Sequence, residues 1–276
     1  MFKISNHIRR WAGVLALSGV ATGVGGCAPS LQEEAQMGRQ YAAEINRQLP
    51  IVEDAAVHRY INQLGNQIAQ RADQRGLQYT FYVVNSDVVN AFAVPGGFIY
   101  INRGLIDRAE NVSELAGVLS HEIGHVVARH GVDQMVRMQR AELGVNLAYV
   151  LLGRAPSGVE QAGLQVGAGA FFARHSREAE HEADELAVQY LTRAGINPMG
   201  VVTFFQKLMQ DQQRAPSRVE QWFATHPLTQ ERVEATRRSV EAIPAAQRQN
   251  LTTNTQAFQQ FQARVRQLPA APRSGE

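Results

Sequence analysis

Residues 121–125 read HEIGH, and their spacing is that of a metal site. His121 and His125 stand four apart, so on a helix both imidazoles leave one face about a turn apart and can share an ion. Glu122 falls about 100° further round, beside that ion but off the ligand line. There it can take a proton from an attacking water. From the chain's own His and Glu content, such a pentapeptide arises by chance on the order of once in a hundred chains.

A second stretch, SREAEHEADELA (176–187), holds five acids: Glu178, Glu180, Glu182, Asp184 and Glu185. On a 3.6-residue helix Glu180 and Asp184 share a face with Ala183, Ala187, Val188 and Leu191. Glu178, Glu182 and Glu185 are rotated away by roughly 140–160°. Only Glu180 and Asp184 therefore point into an apolar side, where a carboxylate needs a partner and a metal ion is the strongest one. Catalytic zinc takes three protein ligands and keeps one position open, so Glu180 is the expected third ligand. Asp184, one turn on, is expected to hydrogen-bond a ligand histidine and fix its tautomer. The other acids are expected on a solvated face, with His181 there or touching substrate.

The elements that must position these residues are mostly helical. Residues 113–131 carry HEIGH on a helix that is apolar nearly all round and so expected buried, with Ser113 as N-cap and Gly131 just past its end. Gly117, Gly124 and Ala128 leave room on the histidine face for an ion and a second helix. His130 projects from the opposite side and reads as a surface residue, like His7 and His58. Helical patterns also run over 32–48, 54–72, 133–152, 160–194, 199–212, 229–242 and 255–268. RAPSR (214–218) reads as a break. The β signals are QYTFYVVN (78–85) and FIYI (98–101), with VVNAFAVPGG (88–97) between them and a turn at Pro95-Gly96-Gly97. Pro95 cannot donate to a ladder, which makes that strand end an edge.

Charge excludes one class of partner. The 276 residues carry a formal net charge of +2, and the basic residues form no stripe, so nucleic acid is not expected. Cys27 is the only cysteine, so no internal disulfide can form. Lys3, Arg9 and Arg10 precede a short apolar run (11–24) that ends in Gly25-Gly26-Cys27, the pattern of an export signal. The ending resembles a bacterial lipobox, in which Cys27 is lipidated; the alternative is an ordinary signal peptide that leaves a free thiol. Ala28 in place of Asp favours the outer membrane by the same likeness. The expected organisation is a signal peptide (1–26), a tether (27–34), one catalytic domain (35–254), and a C-terminal helix with a flexible tail (255–276). LGVNLAYVLLG (143–153) and VGAGAFFA (166–173) are too short to span a bilayer and read as core.

HEIGH followed by SREAEHEAD resembles the family-48 zinc metallopeptidases, the group of the CaaX-prenyl endopeptidases and the bacterial HtpX proteins. The likeness extends to VNAFAVPGGFIYINRGLI (89–106) and THPLTQER (225–232), and so to most of residues 50–240. It implies an α+β, mostly helical, zincin-like (gluzincin) domain with a small sheet beside the HExxH helix. It implies one zinc ion per chain on His121, His125 and Glu180, with Glu122 as general base. Asp184 matches an aspartate sometimes assigned as proton donor. His226 is expected to reach the site, either stabilising an oxyanion or occupying the open zinc position, and Arg232 to do similar work. Asn90, Ala91, Phe92 and Ala93 could bind an unfolded substrate as an added strand. The implied activity is cleavage of misfolded or misassembled cell-envelope proteins in the periplasm, with a chaperone of weak or capped proteolysis as the alternative.

Overall fold

The computed structural model describes residues 29–137 and 175–271. The signal segment, Cys27, and the apolar stretches 143–153 and 166–173 lie outside them. The order is α1 (Leu31–Gln48), α2 (Ala55–Ala72), β1 (Thr80–Val84), β2 (Ala91–Val94), β3 (Phe98–Asn102), α3 (Arg103–Arg108) and α4 (Val112–Val127). Helical turns resume over 130–137. Then come α5 (Arg177–Arg193), α6 (Met199–Arg214), α7 (Pro216–Thr225), α8 (Gln230–Ala242), α9 (Ala245–Arg248) and α10 (Gln256–Arg266). No helix among the described residues is long and apolar enough to cross a membrane.

The centre of the molecule is α4, whose residues from Val112 to Val126 are all buried. Its sequence offers no polar stripe, so it can be stable only if wrapped on every side. α5 and α6 cover it from one direction, α2 and the sheet from another. Close approach depends on two glycines. A Cβ on Gly124 would sit 3.2 Å from the backbone of Ala183 in α5, and one on Gly117 would meet Val201 of α6 at 3.0 Å.

The sheet has the order β1-β3-β2. β1 runs parallel to β3 in the register Thr80↔Phe98. β2 returns antiparallel to β3, Ala91 opposite Ile101, through a turn in which Gly96 and Gly97 take φ of 86° and 90°. That leaves β2 as an edge strand, lying against α4.

Several element ends differ from the sequence reading. The N-cap of α4 is Asn111, whose side chain accepts the Glu114 N–H, while Ser113 is buried two residues further on, within the first turn. α4 ends at Val127, because Arg129 takes the left-handed conformation (φ 60°) expected near Gly131. RAPSR is not only a break: Pro216 opens α7, the first helical position where its missing N–H does no harm. The last residues of the expected tether already belong to α1, which starts with a capping box between Ser30 and Glu33. Glu34 is buried and accepts from the Gly96 N–H and from Arg129. The C-terminal helix is likewise part of the body, since α10 buries Phe258, Phe261 and Val265 against α2 and α3.

Candidate metal centre

Two helices bring the ligand set together. His121 and His125 leave one face of α4, and Glu180 enters from the first turn of α5, which Ser176 caps by accepting the Ala179 N–H. All three are buried. Nε2 of His121 lies 3.1 Å from Nε2 of His125 and 3.6 Å from Oε2 of Glu180, and Nε2 of His125 lies 3.3 Å from Oε1 of Glu180. His226, the C-cap of α7, completes the group. Its Nδ1 is 3.4 Å from Nε2 of His121 and 3.1 Å from Oε1 of Glu180.

These separations test whether an ion fits. Four ligands at about 2.0–2.1 Å from a tetrahedral zinc stand about 3.3–3.4 Å from one another. The separations above run from 3.1 to 3.6 Å and bracket that edge. Imidazole nitrogens and a carboxylate oxygen are also the donor types zinc prefers. The residues fit the metal, and His121, His125, Glu180 and His226 are together able to hold it.

Around the donors stands a ring of supports. Oδ1 of Asp184 is 2.9 Å from Nδ1 of His121, though off the line of a well-formed hydrogen bond. Arg232 donates from Nε and Nη2 to the two oxygens of Asp184 at 2.9 and 2.8 Å, and from Nη1 to Oε2 of Glu180 at 2.6 Å. A fourth bond runs from Nη1 to the Pro227 carbonyl, so among the described residues the guanidinium is bonded to Asp184, Glu180 and Pro227. His175 stacks on His125 at 4.0 Å between ring centres, and Trp222 lies 4.7 Å from the His226 ring.

The field of the site follows from burial and from these pairs. Burial alone would raise Glu180, but His226, His125 and His121 hold its carboxyl well below the usual range. Burial pushes His125 well down. His175 is pushed down to about 3 by burial and then by His226. Burial would also lower His226, yet Glu180 and Glu122 outweigh it and raise the ring.

Glu122 stands just off the donor set. Burial raises its carboxyl, against the pull of His226 and His121. The backbone of Ala93 in the edge strand acts on the same carboxyl, in the lowering direction. Among the described residues Oε1 has no hydrogen-bond partner, and the Nε2 of His226 is 3.5 Å away. Of the four strand residues singled out from sequence, Asn90 and Ala91 are buried, while Phe92 and Ala93 are half-buried. The part of the strand open to a neighbour is therefore narrower than expected.

The five acids divide as their helix positions dictate: Glu180 and Asp184 are buried, Glu178, Glu182 and Glu185 exposed. His58 is exposed and His181 half-buried. His130 is the correction. It is buried, with Nδ1 2.9 Å from Nδ1 of His125 and Nε2 3.2 Å from Oε2 of Glu182. The sequence reading continued the helix through residue 130 and so sent this ring outward; the turn at Arg129 sends it back. Trp222 was missed with α7 itself, and Pro216 was the signal that could have found it.

A small mixed sheet, an HExxH helix packed against a second acid-bearing helix, and a buried His/Glu donor set define a gluzincin-type zinc metallopeptidase domain. The model of Peptidase family M48 matches residues 55–240. The chain belongs to this family, whose metal is zinc. It is similar to the beta-barrel assembly-enhancing protease of Yersinia pestis, 36% identical over 215 residues that make up 75% of this chain and 44% of that protein. The protein of the same name from Escherichia coli K12 is 33% identical over 211 residues, 74% of this chain and 43% of the relative. The metalloprotease YcaL of the same strain is 30% identical over 172 residues, 62% of this chain and 63% of its own. The chain thus spans less than half the length of the first two.

Proposed function

We propose that this chain is a zinc endopeptidase of the bacterial envelope that cleaves misfolded or misassembled outer-membrane proteins. One observation carries the chemistry: Glu122 keeps a buried, unpartnered carboxylate oxygen beside three converging ligand atoms. Zinc held by His121, His125 and Glu180 would supply Lewis acidity, making water reactive at neutral pH and polarising the scissile carbonyl. Glu122 receives the water's proton on Oε1 and returns it to the leaving amine, helped by the burial that makes it more basic than an ordinary glutamate. Asp184 stands beside His121, and Arg232 balances the charge of Asp184 and Glu180. The edge of β2 at Phe92 and Ala93 takes the substrate backbone as an added strand, a mode that suits unfolded segments of any sequence. The names of the relatives direct the substrate reading towards β-barrel assembly. Lipidation at Cys27 would hold the enzyme at the outer membrane.

The position of His226 favours a capped resting state, since its Nδ1 stands where the open corner of a catalytic site belongs. In that state the chain would act as a chaperone until the ring swings away. Casein cleavage by the full-length wild type, Glu122→Gln and His226→Ala separates the readings. Glu122→Gln should retain zinc and lose cleavage; residual cleavage at the wild-type rate would sink the base assignment. A rate that rises in His226→Ala supports capping, and one that falls assigns His226 to the oxyanion.

A further inference from the structure

A ligand imidazole is reliable only when its far nitrogen is held, because that bond fixes both the tautomer and the ring angle. Nδ1 of His121 has the Asp184 carboxylate 2.9 Å away. His125 faces the donor set with Nε2, so its Nδ1 must carry the hydrogen, and the atom facing it at 2.9 Å is Nδ1 of His130. An accepting Nδ1 is unprotonated. The proton of neutral His130 must then be on Nε2, which faces Oε2 of Glu182 at 3.2 Å. Each step fixes the next: Nδ1–H of His125 donates to His130, and Nε2–H of His130 donates to Glu182.

The backbone is shaped for this contact. On a continuous helix, residues five apart point about 140° away from each other and their rings do not meet. Here Arg129 takes φ 60°, a conformation unfavourable for any residue but glycine, and turns the chain so that His130 falls back on His125. The side chain of Arg129 keeps the turn in place by donating to buried Glu34 and to the Pro29 carbonyl.

We propose that His130 is a positioning residue of the metal centre, braced by Glu182 and setting the tautomer and angle of His125. α5 then serves both ligand histidines of α4, reaching His121 through Asp184 and His125 through Glu182 and His130. The inference rests on the reading of His121, His125 and Glu180 as zinc ligands.

Zinc affinity of the full chain, measured by chelator competition, tests it without any protease assay. His130→Phe keeps an aromatic ring but removes the acceptor, and should weaken zinc by about tenfold to a hundredfold. His130→Asn offers an oxygen in the place of Nδ1 and should recover most of that loss. Glu182→Ala removes only an exposed side chain and should weaken zinc by several-fold, so it decides the matter even if His130→Phe does not fold. In long-range 1H–15N spectra of the zinc-loaded protein, His125 should carry its hydrogen on Nδ1 and His130 on Nε2. Equal affinities for His130→Phe and His130→Asn, or wild-type affinity for Glu182→Ala, would overturn the proposal. Failure of the wild type to bind zinc would instead overturn the ligand assignment beneath it.

Discussion

Arg232→Met asks whether the guanidinium serves the centre by charge or by geometry. Arg232 is 3% exposed and donates three hydrogen bonds to Asp184 and Glu180, themselves 2% and 0% exposed. Removing one partner of a buried ion pair costs about 3–5 kcal/mol, because the other charge stays behind uncompensated. Two acids share this cation, so the zinc-free protein should lose close to the upper figure, about 5 kcal/mol. With zinc bound, the ion compensates Glu180 and only Asp184 is left exposed to the loss, about 3 kcal/mol. For a domain of this size each kcal/mol moves the unfolding midpoint by about 2–4 °C. Thermal unfolding should therefore fall by roughly 10–20 °C without zinc and 6–12 °C with it. Linkage then requires zinc to bind the variant more tightly than the wild type, by about 2 kcal/mol or roughly 30-fold. Should zinc stabilise the variant less than the wild type, Arg232 acts by holding the ligands in place and the charge argument fails.

Other parts of the frame make further predictions. Gly124→Val would drive a branched side chain into the Ala183 backbone, 3.2 Å from the first added carbon, at a cost of about 1–3 kcal/mol. Glu180 lies one turn before that contact, so zinc affinity should fall with the midpoint; unchanged affinity would mean that α5 carries Glu180 independently of this packing. Asp73→Asn tests the clamp at the far end of α4, where Arg75 donates to Asp73 and to the Val126 carbonyl, and Tyr79 adds a hydrogen bond to Asp73. Burial would raise the Asp73 carboxyl, yet Arg75 and Tyr79 hold it below its ordinary value. A depressed carboxyl contributes stability above its unfolded pKa of about 3.9 and loses it as pH falls through the lower folded value. The gap between wild type and Asp73→Asn in urea midpoint should thus be constant from pH 5 to 7 and narrow below about pH 4; a gap that stays constant at pH 3 would remove the ionic clamp.

What could be read from the sequence was whatever local periodicity controls. The i,i+4 histidines, the apolar belt around α4 and the division of five acids by helix face all follow from 100° per residue. The β-branched runs of β1 and β3 are local signals of another kind, a residue preference for the pleated strand. The details that failed are set by contacts distant in sequence. Local preference puts a left-handed residue at a glycine, yet Arg129 takes it, because Glu34, 95 residues earlier, holds the guanidinium there. That one displacement brings His130, expected at the surface, against His125. Pro216 was ambiguous in principle, since proline both ends helices and starts them. Arg232 carried no local mark of its partners 48 and 52 residues back along the chain.

The buried charges of the centre make a case for a doubly charged ion that stands apart from the family resemblance. Among the described residues, Glu122, Glu180 and Asp184 are three carboxylates, each at most 2% exposed, and Arg232 is the one guanidinium bonded among them. Taken as ionised, with the histidines neutral as ligands must be, they sum to −2. Charge buried away from water must be compensated on the spot, and a dication brings the total to zero where a monovalent or trivalent ion would not. Without the ion, protons have to make up the difference, and Glu180 and Glu122 raise His226 against its burial. The proposed mechanism would keep the same balance. A proton that moves from the attacking water to Oε1 of Glu122 stays inside the buried space, so the total does not change. A base in bulk solvent would carry that charge out of the centre, whereas Glu122, as the proposed base, lies within the wall of α4 next to His121.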